Sequence, residues 1–353
     1  MGVGVGVGVS VDMNNPRLQS GGVKMEKTMK IRLIALSIMS ATVLFSGCTN
    51  PHWSDGPVQE GTVSFQGRSI WYRIVGADKP GIPLLALHGG PGAPHDYLES
   101  IEALADERPV IFYDQLGCGN SDRTNDSTLW TIDYFVEELA AVRKELGLKK
   151  VHILGQSWGS MLAVEYILRE KPSGIKSLIL AGPCMSTDRW VADQANWVSQ
   201  LPDSLRQVIT DCEASGDFAH PAYQEALMVF YHLHVCRLDP WPDCINRTFE
   251  KFGQEVYQYM WGPSEFSLTG TLNGWDRTED LAKIDIPTLF TCGEFDEATP
   301  ETTEYYHSKM PGSEIHVFMG ASHNHHLESQ KEFLQVVRDF LFRVVNFPRV
   351  VNF

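Results

Sequence analysis

Val151-His152-Ile153-Leu154-Gly155-Gln156-Ser157-Trp158-Gly159-Ser160 is the stretch that decides how the rest of this chain is read. A short, mostly apolar run leads into a serine flanked by glycines, and a helical pattern from Ser160 to Arg169 follows at once. This is G-x-S-x-G in the setting of strand, sharp turn and helix. Such a turn forces its central residue into a strained backbone conformation, and side chains at the two glycine positions would collide with neighbouring turns. The helix that opens behind the serine favours negative charge developing near its N-terminus. Ser157 is therefore the candidate nucleophile.

Outward from this point, short apolar β-branched runs alternate with helical patterns. Strands are expected at Thr62 to Phe65, Ile70 to Val75, Leu84 to Leu87, Val110 to Tyr113, Val151 to Leu154, Ser177 to Ala181, Thr288 to Thr291 and Glu314 to Val317. Helices are expected at Tyr97 to Ala105, Thr131 to Leu146, Ser160 to Arg169 and Glu332 to Arg343. Several strands are nearly all apolar, as strands buried on both faces must be. The order is that of a doubly wound, mostly parallel sheet, and with the Ser157 turn it predicts an α/β-hydrolase fold. Residues 186–276 break the alternation: they are rich in Trp, Tyr, Phe and His and read as a mainly helical cap. The hydrolase core then falls into two parts, 57–185 and 277–343, with 344–353 as a tail in which Arg-Val-Val-Asn-Phe recurs.

A serine hydroxyl needs a base, and the base needs an acid to hold its tautomer. In this fold they follow the serine in the order acid, then histidine. Asp296 follows the run Pro287 to Cys292, and His323 follows Glu314 to Phe318. Asp285, Glu294 and Glu297 compete for the first role, and His325 and His326 for the second; the surplus histidines are expected to face solvent. Oxyanion donors are expected from the N–H of Trp158 and from the loop His88-Gly89-Gly90-Pro91-Gly92, with Gly90 favoured and Gly89 next. A metal held by His316, His323, His325 and His326 is the lesser reading, and the set of expectations includes no metal and no cofactor.

The net charge of -15 argues against nucleic acid, since no excess of Lys and Arg is present to neutralise phosphates. Residues 1–28, with Gly-Val alternation from Gly2 to Val9, read as a non-structural extension. From Met29, positive residues, an apolar run and Ser46-Gly47-Cys48 read as a signal peptide over 29–48 with a lipobox-like end. Lipidation at Cys48 and an exported chain, membrane-anchored or periplasmic, follow as expectations. Of the other cysteines, Cys236 and Cys244 are close enough to pair, although buried free thiols are expected for most.

The segments His88-Gly89-Gly90-Pro91-Gly92, Tyr113-Asp114-Gln115-Leu116-Gly117-Cys118-Gly119-Asn120-Ser121, Gly155-Gln156-Ser157-Trp158-Gly159-Ser160 and Gly293-Glu294-Phe295-Asp296-Glu297-Ala298-Thr299-Pro300 resemble the proline iminopeptidase family, as does Gly262-Pro263-Ser264-Glu265-Phe266 in the cap. The resemblance runs from about Val63 to Arg343. It implies a serine aminopeptidase that releases N-terminal proline or another apolar residue from short peptides or aminoacyl amides. It also implies that Glu265 and Glu297 hold the substrate's free amine, with Tyr257 as a hydrogen-bonding neighbour. Trp158, Phe266 and Tyr257 are expected as aromatic pocket walls. An amino-acid amidase or esterase, and a ligand-binding protein without turnover, are the other readings.

Overall fold

The computed structural model describes residues 56–347. Cys48 and the expected extension and signal segment lie outside them. Eight strands form one sheet: β1 (Val58–Phe65), β2 (Arg68–Val75), β3 (Leu84–Leu87), β4 (Val110–Tyr113), β5 (Val151–Gln156), β6 (Ile175–Ala181), β7 (Thr288–Gly293) and β8 (Glu314–Phe318). Their order is β1-β2-β4-β3-β5-β6-β7-β8. The pairs β1·β2 and β2·β4 are antiparallel, and every pairing from β4 to β8 is parallel. All eight fall where the apolar runs predict them.

Alternation along the inner strands divides the core into two layers. Leu85, Ile111, Ile153 and Leu178 point to one face, while Leu84, Ala86, Phe112, Leu154 and Ile179 point to the other. Helices α1 (Ile132–Glu145) and α2 (Trp158–Glu170) cover the first face. Thr131 starts α1 by accepting the N–H of Tyr134 on its side chain. The second face carries a 3-10 segment, His95–Asp106, where an ordinary helix was expected. Its buried Leu98, Ile101 and Leu104 recur every three residues, which suits three residues per turn better than 3.6.

Between β6 and β7 the chain forms α3 (Thr187–Ser199), α4 (Asp203–Ser215), α5 (Pro221–His234), α6 (Asp243–Glu250) and α7 (Gln254–Met260), with no named strand among the described residues. Leu201, Ile209, Tyr223 and Phe230 give α4 and α5 a small core of their own. After β7 come α8 (Pro300–Lys309), α9 (His325–Glu328) and α10 (Gln330–Asn346). The last helix runs past Arg343 because Val344 still packs on the second core layer. Cys118, Cys184, Cys212, Cys236, Cys244 and Cys292 are buried free thiols, so Cys236 and Cys244 are not joined.

Candidate active site

Ser157 sits at the C-terminal end of β5 with φ 54° and ψ -123°, a strained conformation for a residue with a side chain. The flanking glycines permit it by close approach. A Cβ on Gly155 would lie 2.3 Å from the Gly159 carbonyl oxygen, and one on Gly159 would lie 2.2 Å from that of Leu87. Helix α2 begins at the next residue, so the Trp158 N–H has no intrahelical acceptor.

Asp296 and His323 come from the turns after β7 and β8 and meet there. The Nδ1–H of His323 donates to Asp296 Oδ1 over 2.6 Å. That fixes the tautomer and leaves Nε2 as the basic nitrogen. Asp296 is fully buried, and its two oxygens also accept the N–H groups of Gly293 (3.1 Å) and Ala298 (2.9 Å). Burial alone would raise its pKa, but His323 and His325 beside it hold the carboxyl well below the usual range. Of its competitors, Asp285 is exposed and Glu294 accepts the N–H of Gly320.

The surplus histidines correct the expectation of solvent exposure. His325 is fully buried, with Nε2 3.0 Å from the Thr291 hydroxyl and Nδ1 3.5 Å from Asp296 Oδ2. His326 donates from Nε2 to the Tyr97 carbonyl (3.0 Å), and burial lowers its pKa to about 3. Both begin α9, and the sequence sign of a helix start said nothing about which face would be covered. His316 instead pairs with Glu332 on the surface. Of the four histidines of the metal reading, His323 and His325 both face Asp296, while His326 and His316 are engaged elsewhere.

In the His88–Gly92 loop, the Gly89 N–H donates to the Tyr97 hydroxyl at 2.7 Å. Gly89 is thereby corrected as an oxyanion donor: its amide is already taken. The Gly90 N–H has no partner among the described residues. Gly90 has φ 105°, and a Cβ there would lie 2.5 Å from the Gly92 nitrogen, so only glycine fits. Beneath the loop, His88 Nε2 accepts the Gln115 N–H (2.9 Å), which leaves Nδ1–H to hold the Gly89 carbonyl (3.0 Å). Burial lowers its pKa to about 4, keeping it neutral.

Two carboxylates stand close by. Glu297 is 3% exposed, and its Oε1 has no hydrogen-bond partner. Burial raises its pKa well above the usual value, and the charges of Glu265 and Asp296 push it further in the same direction. Glu265 is also raised by burial, against the hydrogen bond from Tyr257 and the charge of His323. The Tyr257 hydroxyl donates to Glu265 Oε1. Trp158 departs from its expected place as a pocket wall. Its ring is buried in the core, edge-on to Phe135 at 5.9 Å, with Nε1 donating to Gln115 Oε1 (2.8 Å). Phe266 packs edge-on against Phe230 at 4.8 Å.

Known proteins share this chain's fold and much of its sequence. The model of the alpha/beta hydrolase fold family matches residues 82–330. A proline iminopeptidase of Heyndrickxia coagulans is 44% identical over 283 residues, 80% of this chain and 98% of that protein. One from Thermoplasma volcanium is 39% identical over 287 residues, covering 80% and 96%. The crystal structure of the proline iminopeptidase of Mycobacterium smegmatis superposes with a TM-score of 0.75 at 39% identity, covering 81% of this chain and 98% of that one. The chain belongs to the proline iminopeptidase family.

In this proline iminopeptidase relative, several residues at the site carry no motif signal of their own. Tyr97 and Gln156 link three loops: the Tyr97 hydroxyl donates to Gln156 Oε1 (2.6 Å) while accepting from Gly89, and Gln156 Nε2 donates to the His323 carbonyl (3.5 Å). The cap grips the acid loop at three successive carbonyls. His234 Nδ1–H donates to that of Phe295 (2.9 Å), Trp197 Nε1–H to that of Asp296 (2.9 Å) and Gln194 Nε2–H to that of Glu297 (3.0 Å). In return, the His323 N–H donates to the His234 carbonyl at 3.0 Å. Apart from that between Gly89 and Tyr97, these contacts join residues 59 to 167 positions apart, so local spacing could not reveal them.

Proposed function

We propose that the protein is a prolyl aminopeptidase: Ser157 is its nucleophile, His323 the general base and Asp296 the group that orients and stabilises the base. Glu297 carries the substrate side of this reading. A buried carboxylate with a free oxygen, next in sequence to Asp296 and under the influence of a second carboxylate, is short of a cation. The ammonium of a peptide's first residue supplies one. Held by Glu265 and Glu297, that amine puts the first carbonyl, and no later one, within reach of Ser157.

His323 Nε2 takes the Ser157 proton as Oγ attacks that carbonyl. The oxyanion forms against the N–H groups of Gly90 and Trp158, each worth about 3 to 4 kcal/mol in comparable sites. The imidazolium then protonates the leaving amine as the C–N bond breaks, and water, activated by the same base, cleaves the Ser157 ester, releasing the amino acid while His323 returns the proton to Oγ. Proline 4-nitroanilide should be hydrolysed and its N-acetyl derivative should not. Glu265→Gln should lower kcat/KM for the free amine by about 100-fold or more. Equal turnover of the two anilides by the wild type would remove the aminopeptidase reading in favour of a general amidase or esterase.

We infer further that residues 29–48 direct export and that Cys48 is lipidated, on the run of Lys30 and Arg32, apolar residues and Ser46-Gly47-Cys48. Expressed in a bacterial host, the chain should incorporate labelled palmitate, and Cys48→Ala should not. An unlabelled full-length chain in the cytoplasm would refute this.

A further inference from the structure

We propose that Gln194 Oε1 is a third acceptor for the substrate's amine, one that serves a primary ammonium and stands idle for proline. The inference rests on the aminopeptidase reading and names a specificity element within it. Gln194 lies on α3 and is 1% exposed. Its Nε2 donates to the Glu297 carbonyl at 3.0 Å, and a carbonyl only accepts, so the amide orientation is settled. That leaves Oε1 buried with no partner, on the residue bonded to Glu297, whose own Oε1 is likewise buried without a partner.

Neighbours on the same helix tie this point to the site. Trp190, one turn earlier, sets its ring edge-on to His323 at 5.5 Å and lies beside Glu265. Trp197, nearly one turn later, donates to the Asp296 carbonyl. Positions 190, 194 and 197 share one helix face, and that face covers both carboxylates and the acid–base pair. Buried oxygens without donors are costly, and a ligand that brings N–H groups to two of them on hydrogen-bonded neighbours relieves that cost.

The chemistry of the amine then separates substrates. A primary ammonium has three N–H groups, and the secondary ammonium of proline has two. Glu265, whose Oε1 already accepts from the Tyr257 hydroxyl, takes one N–H group, and the unpartnered Glu297 Oε1 takes another. With proline nothing more is required. A primary amine has a third N–H, which Gln194 Oε1 accepts.

The test compares alanine 4-nitroanilide with N-methylalanine 4-nitroanilide, which share a side chain and leaving group and differ in one methyl group that replaces an N–H hydrogen. Gln194→Met removes the acceptor at similar length. The ratio of kcat/KM, primary over secondary, should fall about tenfold from its wild-type value. Because both substrates report on the same active molecules, the ratio does not depend on how much of the variant folds. Gln194→Glu keeps an acceptor at the same reach and should hold the ratio at or above that of the wild type. A ratio that stays within about twofold in Gln194→Met, or falls equally in both variants, overturns the role of Gln194 alone. A wild type that cleaves proline 4-nitroanilide but not alanine 4-nitroanilide overturns the role of Gln194 alone, and one that cleaves none of the three anilides overturns the aminopeptidase reading itself.

Discussion

Gly182, just past the end of β6, has φ 52°, and a methyl group there would lie 2.6 Å from both Nδ1 and Cε1 of His323 and 3.5 Å from Asp296 Oδ2. Neither neighbour can withdraw freely, since Asp296 is pinned by the N–H groups of Gly293 and Ala298. The ring would have to tilt. Gly182→Ala is expected to lower kcat about 100-fold, as displacements near 1 Å do in such sites, and to slow fluorophosphonate labelling of Ser157 in proportion. A variant that labels at the wild-type rate would show that the site has room to spare. At this scale the sequence was most legible where chemistry demands a residue type at a fixed place, as with Ser157 after β5, Asp296 after β7 and His323 after β8. It was silent about Gly182, Tyr97 and Gln156, whose types are common and whose roles arise from contacts made in the folded chain.

The strands were legible because buried parallel strands leave long apolar runs, and the 3-10 segment was misread because a period of three differs little from 3.6 over twelve residues. Within 186–276, composition and the lack of apolar strands pointed to helices, yet nothing showed which faces they present. Helix α3 turns out to hold the acid loop. The Trp197 indole donates to the Asp296 carbonyl and stacks on His234 at 4.3 Å. Trp197→Phe keeps a ring for the stack and deletes the N–H. It should lower kcat about fivefold with KM unchanged, because a hydrogen bond worth about 1 kcal/mol is lost from the group that orients His323. A rise in KM with kcat intact would instead assign α3 to substrate binding alone and remove its part in positioning the acid.

Over the whole molecule, excess acidic charge leaves few cations to spare, and the buried carboxylates at the site do without them. In the free protein Glu265 and Glu297 have pKa values above the ordinary 4.5, so burial favours their neutral forms. Stability that is intact below about 4.5 is therefore lost as pH rises through the raised values. A bound ammonium cancels that loss by supplying the missing charge. The melting-temperature increase given by L-prolinol, which carries the amine but no acyl group, should thus be larger at pH 8 than at pH 5. Asp296 is held low by the histidines beside it and keeps its charge at both pH values. In Glu265→Gln the shift should be small and nearly independent of pH. Equal shifts at the two pH values in the wild type would mean that the pair is already ionised without ligand, and the site would then not be waiting for a cation.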